Sequence, residues 1–558
     1  MYTMIRISTV KALALVAALL LYCGTVNAQD ADTCAGGVLA PKASGVDLVV
    51  TAPCTVQAGI YKFKDVHVLA GGVLTFEDAV IDFWAANILV ESDGSLVAGS
   101  PESPIGTKGG TLTIHLWGKD QTGTDPTKQG QGVVCLSDRK GHCGVPDALW
   151  DANVDAMGMP ISPDLAKKIS ALGAVAAQYP RADDDLKEAG YVDVKDDYFY
   201  AYDPLTFDGA KDSAGRVGYF GYKVLAVSYG GTLELFGKEG ATYATPECGI
   251  APTSSGSSWA RLDKPAAIGD TKLTVDRNLS LKAGDQIVVT TTDYMPGHSE
   301  QLQVASDVVC GKAIAFTNGL KYPHNGTRFS LASVPDGIGL DVQLKGQGAE
   351  TRAAVGVLTR SIRIVSAGDT IGSDFPAEPT KDSRAPGYYF GGHMIARQGF
   401  KRFQVQGVEL RQMGQGGKIG HYPVHFHHTR KAPADTFVRD SSINESMTRW
   451  IVLHGAQYVH LERNVGWKSI GHGFYLEDGT ETDNTLTANL GVFARAAVDN
   501  DQNPRKVPGI LAASNLFNQV NDDIPYTSDY DYPSVFWIMN SWNDFKDNMA
   551  VGAGTCGV

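Results

Sequence analysis

The chain has 558 residues, of which 43% are hydrophobic and 20% charged, with 63 glycines. That length is too great for one ordinary globular domain, unless the fold is an elongated repeat that grows by addition. A formal charge of −13 argues against a general nucleic-acid binder, and the abundant glycine with many short apolar runs argues against a helix bundle.

Residues 1–28 read as a secretory signal peptide. Arg6 and Lys11 precede the apolar run "ALALVAALLLYCG", and small residues end the segment at Ala28. An uncleaved anchor is the alternative, but the run is shorter than the ~20 residues of a membrane span. No later segment is apolar enough to cross a bilayer, so the chain is expected to be secreted or held at the cell surface. Cysteine usage agrees with export. Neighbouring cysteines suggest the pairs Cys34–Cys54, Cys135–Cys143 and Cys248–Cys310, leaving Cys556 over, although spacing does not fix connectivity. Asn278, Asn325 and Asn444 stand in N-x-Ser/Thr patterns that accept glycans in a eukaryotic secretory pathway.

Residues 60–116 alternate apolar and polar positions between Gly-Gly and Asp-Gly turns, the pattern of short stacked or paired strands. "KVLAVSYGGTLELFGKE" at 223–239 repeats it. Between them, roughly 118–222 reads as a polar insertion, partly helical, with Ser162 as N-cap and Pro163 at the first helical position. "DANVDA" from Asp151 lacks the glycine a calcium loop needs at its sixth position, where Ala156 stands, and reads as a polar turn. Residues 257–390 form a second β-rich region, in which "LKAGDQIVV" suggests strand–turn–strand with the bend at Gly284-Asp285.

From 391 to 558 the chain reads as stacked coils. "YPVHFHHT", "RWIVLHGA" and "GHGFYLEDG" align as equivalent strands, making His427, His454 and Glu477 equivalent positions offset by 27 and then 23 residues. Such periods describe a solenoid in which each turn buries its face by stacking on the next. Pro423 beside the first strand leaves the register open by one residue, and a slip would turn the set to the other face.

Histidine concentrates in this part: eight of 13 lie between His393 and His472. The same stretch has eleven Lys/Arg against five Asp/Glu, a basic island in an acidic chain. His425 and His427 share a face by the strand period of two. They are the candidate metal ligands, with imidazole suiting a zinc-like divalent ion. His454, His472, Glu477 and Asp478 are the candidate catalytic groups, able to transfer protons. Arg439, Arg449 and Lys431 are candidate contacts for an anionic substrate. His428 and His460 fall off this ladder by parity. The alternative is a histidine ladder that only packs along the stack.

Several stretches resemble the family of secreted and cell-surface hyaluronidases that includes the cell-migration-inducing, hyaluronan-binding protein. Gly71, Gly72, Gly94, Gly99, Gly230, Gly231 and Gly237 match the surroundings of its eight-glycine ("G-eight") domain. "GDQIVVTTTDY", "VGVLTRSIRI", "FGGHMIARQGFKRFQVQGVELRQMGQ", "GHYPVHFHH", "VRDSSINES", "VLHGAQ" and "VGWKSIGHGFYLEDG" follow in the family's order.

The resemblance implies an all-β protein: an eight-glycine β domain over 29–256, then a right-handed parallel β-helix over 391–558. It also implies calcium-dependent activity toward hyaluronan or a related anionic polysaccharide, by hydrolysis or by elimination. The extra globular domain of the animal enzymes is missing, and the chain stops in mid-coil, so it reads as a truncated or shortened member. A non-catalytic glycan-binding or adhesion module is the competing expectation, and a purely structural surface protein a third.

Overall fold

The computed structural model describes residues 31–41, 45–119, 133, 135–137, 220–238, 240, 257–330, 348–375, 390–416, 420–477, 479–495, 533–553 and 557–558. The signal segment, nearly all of the 118–222 insertion with its expected helix, Asp478, Cys143, Cys248 and Cys556 lie outside them.

Short apolar runs separated by tight corners stack in parallel, and the strands fall into three rows along one axis. The first row carries Asn87–Val90, Val224–Val227, His393–Arg397, Val424–Lys431, Ile451–Gln457, Phe474–Leu476 and Phe536–Trp537, each hydrogen-bonded to the next. A second row of nine strands runs from Pro53–Val56 to Asp544–Lys546. The third runs from Val80–Ala85 through Ile362–Ser366 to Met549–Val551. It joins the first through the strand Gly59–Val68, which pairs into both. This is a parallel β-helix.

The eight-glycine part and the later coils share one stack. Val90 pairs with Val227, and Val227 with Ala396. Long stretches of sequence separate the Val90 rung from the Val227 rung and the Val227 rung from the Ala396 rung, yet each pairs directly with the next. One of these stretches builds a small antiparallel unit from Trp259–Arg261, Ala354–Val357, Gln286–Val289 and Glu300–Gln303, with the paired strands Lys272–Leu281 and Val308–Ala315. The bend at Gly284 is present with φ +96°, but its flanking strands pair with other partners rather than each other. Val288, Ala354 and Leu358 dock this unit on Val465, Trp467, Leu490 and Val492 of the coils.

Inside the solenoid, alternate side chains from the three rows fill one continuous apolar core. Rings repeat along it, with Phe474 stacked on Phe536 at 4.9 Å and edge-on to Trp450 at 5.5 Å. The corners are held by asparagines. Nδ2 of Asn489 donates to the Leu461 carbonyl one coil earlier at 2.8 Å, and Asn548 repeats the bond to Leu486. Each of these carbonyls thereby gains a side-chain donor. The glycines admit close approach of coils: a Cβ on Gly231 would stand 2.6 Å from the Val90 carbonyl oxygen.

Cys34 and Cys54 form the expected disulfide at the start of the stack. Cys135 and Cys310 are also disulfide-bonded. Asn444 does not suit the glycan-acceptor role expected of it. It is 2% exposed within the strand Ser442–Asn444, and its Nδ2 donates to Glu409 at 3.2 Å. Asn278 and Asn325 are partly exposed. Among the described residues no helix is long and apolar enough to cross a membrane.

Candidate functional site

The expected register holds. His427 pairs with His454 across adjacent rungs, and Leu453 with Leu476, so Glu477 continues the row one residue on. Pro423 lies just before the strand Val424–Lys431 and displaces nothing. On the other side Arg397 pairs with His427. One polar row therefore reads Arg397, His427, His454, Glu477.

Access to this row opens along the solenoid axis. Arg397 and His427 are 2% and 5% exposed, whereas the side chains of His454 and Glu477 are 21% and 19% exposed. Glu91, which extends the row upstream, is fully buried and takes the Ser137 hydroxyl at 2.6 Å. Among the described residues of the row, His454 and Glu477 are the more accessible to a ligand.

His425, His427 and His454 come together: one ring nitrogen from each lies within 4.8 Å of the others. Nδ1 of His425 is 2.8 Å from the Gly420 carbonyl, which fixes it as the protonated nitrogen, since a carbonyl only accepts. Nε2 of His425 then carries the lone pair. Burial, and after it the neighbouring His454, pushes the His425 pKa well below the usual imidazole range. Burial also lowers His427, followed by His428 and the Arg397 guanidinium. Both rings are therefore held in the neutral form at pH 7.

Glu477 ends the cluster. Its Oε2 is 3.6 Å from Nδ1 of His454 and its Oε1 is 3.6 Å from Nη1 of Arg449. Arg449 is itself fixed by Tyr422, whose hydroxyl accepts from Nη1 at 3.0 Å, and by the Tyr475 ring, 3.5 Å from the guanidinium carbon.

Three expected residues fall elsewhere. Arg439 is in the second row of strands, bonded to Gln406 at 2.7 Å and stacked over Phe437, so it faces away from the histidines. His472 is fully buried at the opposite end of the short strand from Glu477, where Nδ1 accepts the Ser534 backbone N–H at 2.8 Å. Lys431 is exposed at the far end of the His425 strand, 5.8 Å from the Tyr458 ring centre.

Two residues were not expected. His428, set aside by parity, lies 4.1 Å from the His454 ring and 4.3 Å from that of His427. The register shifts between His427 and Arg430, and His428 has φ +47°. Such a bulge re-aims a side chain that strict alternation would send away, and nothing local in the sequence marks it. Arg397 could have been found by extending the strand alignment back to "HMIAR".

The donor set does not fit calcium, which takes six to eight oxygen ligands. Imidazole nitrogens with one carboxylate fit a zinc-like ion.

Residues 35–140 match the G8 domain family and residues 389–558 match the CEMIP beta-helix family. A G8 domain-containing protein of Dictyostelium discoideum is 30% identical over 364 residues, 63% of this chain and 20% of its own length. Protein rliB of the same organism is 30% identical over 353 residues, 62% of this chain and 26% of its own. Mouse fibrocystin-L is 28% identical over 320 residues, 53% of this chain and 7% of its own. The chain thus spans about a quarter or less of the length of these relatives. Among solved structures, the tailspike protein gp49 from Pseudomonas phage LKA1 aligns over 49% of this chain and 42% of its own, at 10% identity and a TM-score of 0.16, too slight a likeness to bear on function.

Proposed function

We propose that this chain, a G8-domain protein with a CEMIP-type β-helix, is an exported enzyme that cuts an anionic, uronate-containing polysaccharide of the hyaluronan kind. The observation that carries the reading is the exposed end of the polar row. There His454 and Glu477 stand 3.6 Å apart beside the Arg449 guanidinium. Export is supported by the bonded cysteines.

The residue types favour elimination over paired-carboxylate hydrolysis. Hydrolysis of a glycosidic bond ordinarily uses two carboxyl groups about 5–10 Å apart. Among the described residues the cluster presents one, Glu477. Elimination needs a base, a proton donor and a cation near the sugar carboxylate. The base takes the proton from the carbon next to the uronate carboxylate. The resulting charge breaks the bond from the adjacent carbon to the glycosidic oxygen, and that oxygen takes a proton. Arg449 lowers the cost of charge on the uronate, while Glu477 and His454 carry the protons.

The test is product analysis. Purified protein is incubated with hyaluronan and with sulfated and unsulfated uronate polymers, and chain length and ultraviolet absorbance are followed. Shortened chains with an absorbing unsaturated end support elimination, and shortened chains without it support hydrolysis. Chains of full length that are bound in a salt-sensitive way would replace the enzyme by a binding module.

A further inference from the structure

We propose that His425, His427 and His454 form a binding site for a single transition-metal ion of the zinc class, with His428 at its mouth. The proposal concerns the same pocket as the depolymerisation reading but does not depend on it; with an ion bound, His454 is a ligand and proton transfer falls to Glu477.

Packing alone leaves one feature unexplained. Nε2 of His425 is buried, makes no hydrogen bond among the described residues, and is the lone-pair nitrogen because Nδ1 is engaged by Gly420. An unmet buried acceptor of this kind carries the desolvation penalty of the group with nothing to offset it. His425 belongs to a group of three histidines, each of which brings one ring nitrogen to within 4.8 Å of the others. A carbonyl holding Nδ1–H while Nε2 points to a shared centre is the usual second layer of a metal-bound histidine.

The fit is near but open. Nitrogens bound tetrahedrally to zinc at about 2.0–2.1 Å stand roughly 3.3 Å apart, so the rings must close on the ion by side-chain rotation. Three imidazole ligands leave a position free, and the graded exposure of the row puts that position on the His454–Glu477 side. Arg397 beside His427 opposes a dication, and Glu477 beside His454 offsets it. Affinity should therefore depend on Glu477 even if it is not itself a ligand. Calcium should compete poorly.

The experiment uses the chain freed of metal by chelator dialysis. Zinc is titrated against a chromophoric chelator, and cobalt is added separately for its visible spectrum. Uptake of one zinc per chain is expected, with a tetrahedral cobalt band and no displacement by excess calcium. His425→Ala and His454→Ala should weaken binding at least tenfold, and Glu477→Gln less; His460→Ala, in another row, should bind as the parent does. Zinc held equally well by the His425→Ala/His454→Ala double variant, displacement by calcium, or no uptake would overturn the proposal. If a variant does not fold, the parent's cobalt spectrum decides: an octahedral aqua spectrum counts against the site. No glycan enters these readouts, so failure here leaves the depolymerisation reading to its own test, and failure there leaves this one intact.

Discussion

His427 and His454 face each other from neighbouring rungs, ring centroids 5.0 Å apart and planes at 73°. Residues a full coil apart in sequence become neighbours because parallel strands stack about 4.8 Å apart. The row they share runs from buried to accessible. That gradient separates residues that hold the site from residues that can touch a ligand.

Arg449 and Arg439 were equal candidates for meeting an anion, and the fold distinguishes them. Arg449→Gln removes the cation 3.6 Å from Glu477 and should lower kcat/KM on a uronate polymer by about a hundredfold. Arg439→Gln alters a different row of strands and should leave kcat/KM within about twofold. Steady-state kinetics on both variants checks this, and equal losses would contradict the placement.

The glycines of the early coils make a stability prediction. A Cβ on Gly94 would run into the Val68 carbonyl oxygen of the coil before it. Gly94→Ala should cost about 3 kcal/mol through forced separation of the coils. Gly297, around which a Cβ meets nothing within 4 Å, should tolerate alanine within about 0.5 kcal/mol. Chemical denaturation of the two variants reads the difference.

Lys223 gives a pH signature remote from the site. It is 1% exposed, its ammonium donates to the carbonyls of Ala367 and Phe390 at 2.6 and 2.9 Å, and burial pulls its pKa from 10.5 down to about 7. Between those values the unfolded chain holds a proton that the folded chain has released. Stability contributed by this group therefore rises with pH across that window and is lost as pH falls to about 7. The slope is at most about 1.4 kcal/mol per pH unit. Denaturation midpoints measured across the window should climb in the parent and lose that component in Lys223→Met. An unchanged slope in the variant would assign the effect elsewhere.

The histidine ladder was readable because three apolar strands of matching pattern recur at nearly constant spacing, and a solenoid converts spacing into contact. The continuity of the stack from Val90 through Val227 to Ala396 was not readable. Two long stretches of sequence interrupt the period there, and pairing across them is fixed by core packing rather than by local pattern. His428 escaped because left-handed backbone at His428 and Arg430 shifts the register and changes which face a side chain meets. Arg439 and His472 were misplaced for the opposite reason: closeness in sequence to the histidines says little when each coil turns through three faces.

On the proposed function, the less buried end of the polar row, His454 with Glu477, does chemistry on an anionic polysaccharide. The most direct measurement is the chain length of hyaluronan after incubation with the parent protein and with Glu477→Gln, both shown to be folded. Shortening by the parent is expected, with a rate lower by about 10²–10⁴-fold in the variant. Hyaluronan left at full length by both proteins, or cut equally by both, would contradict it.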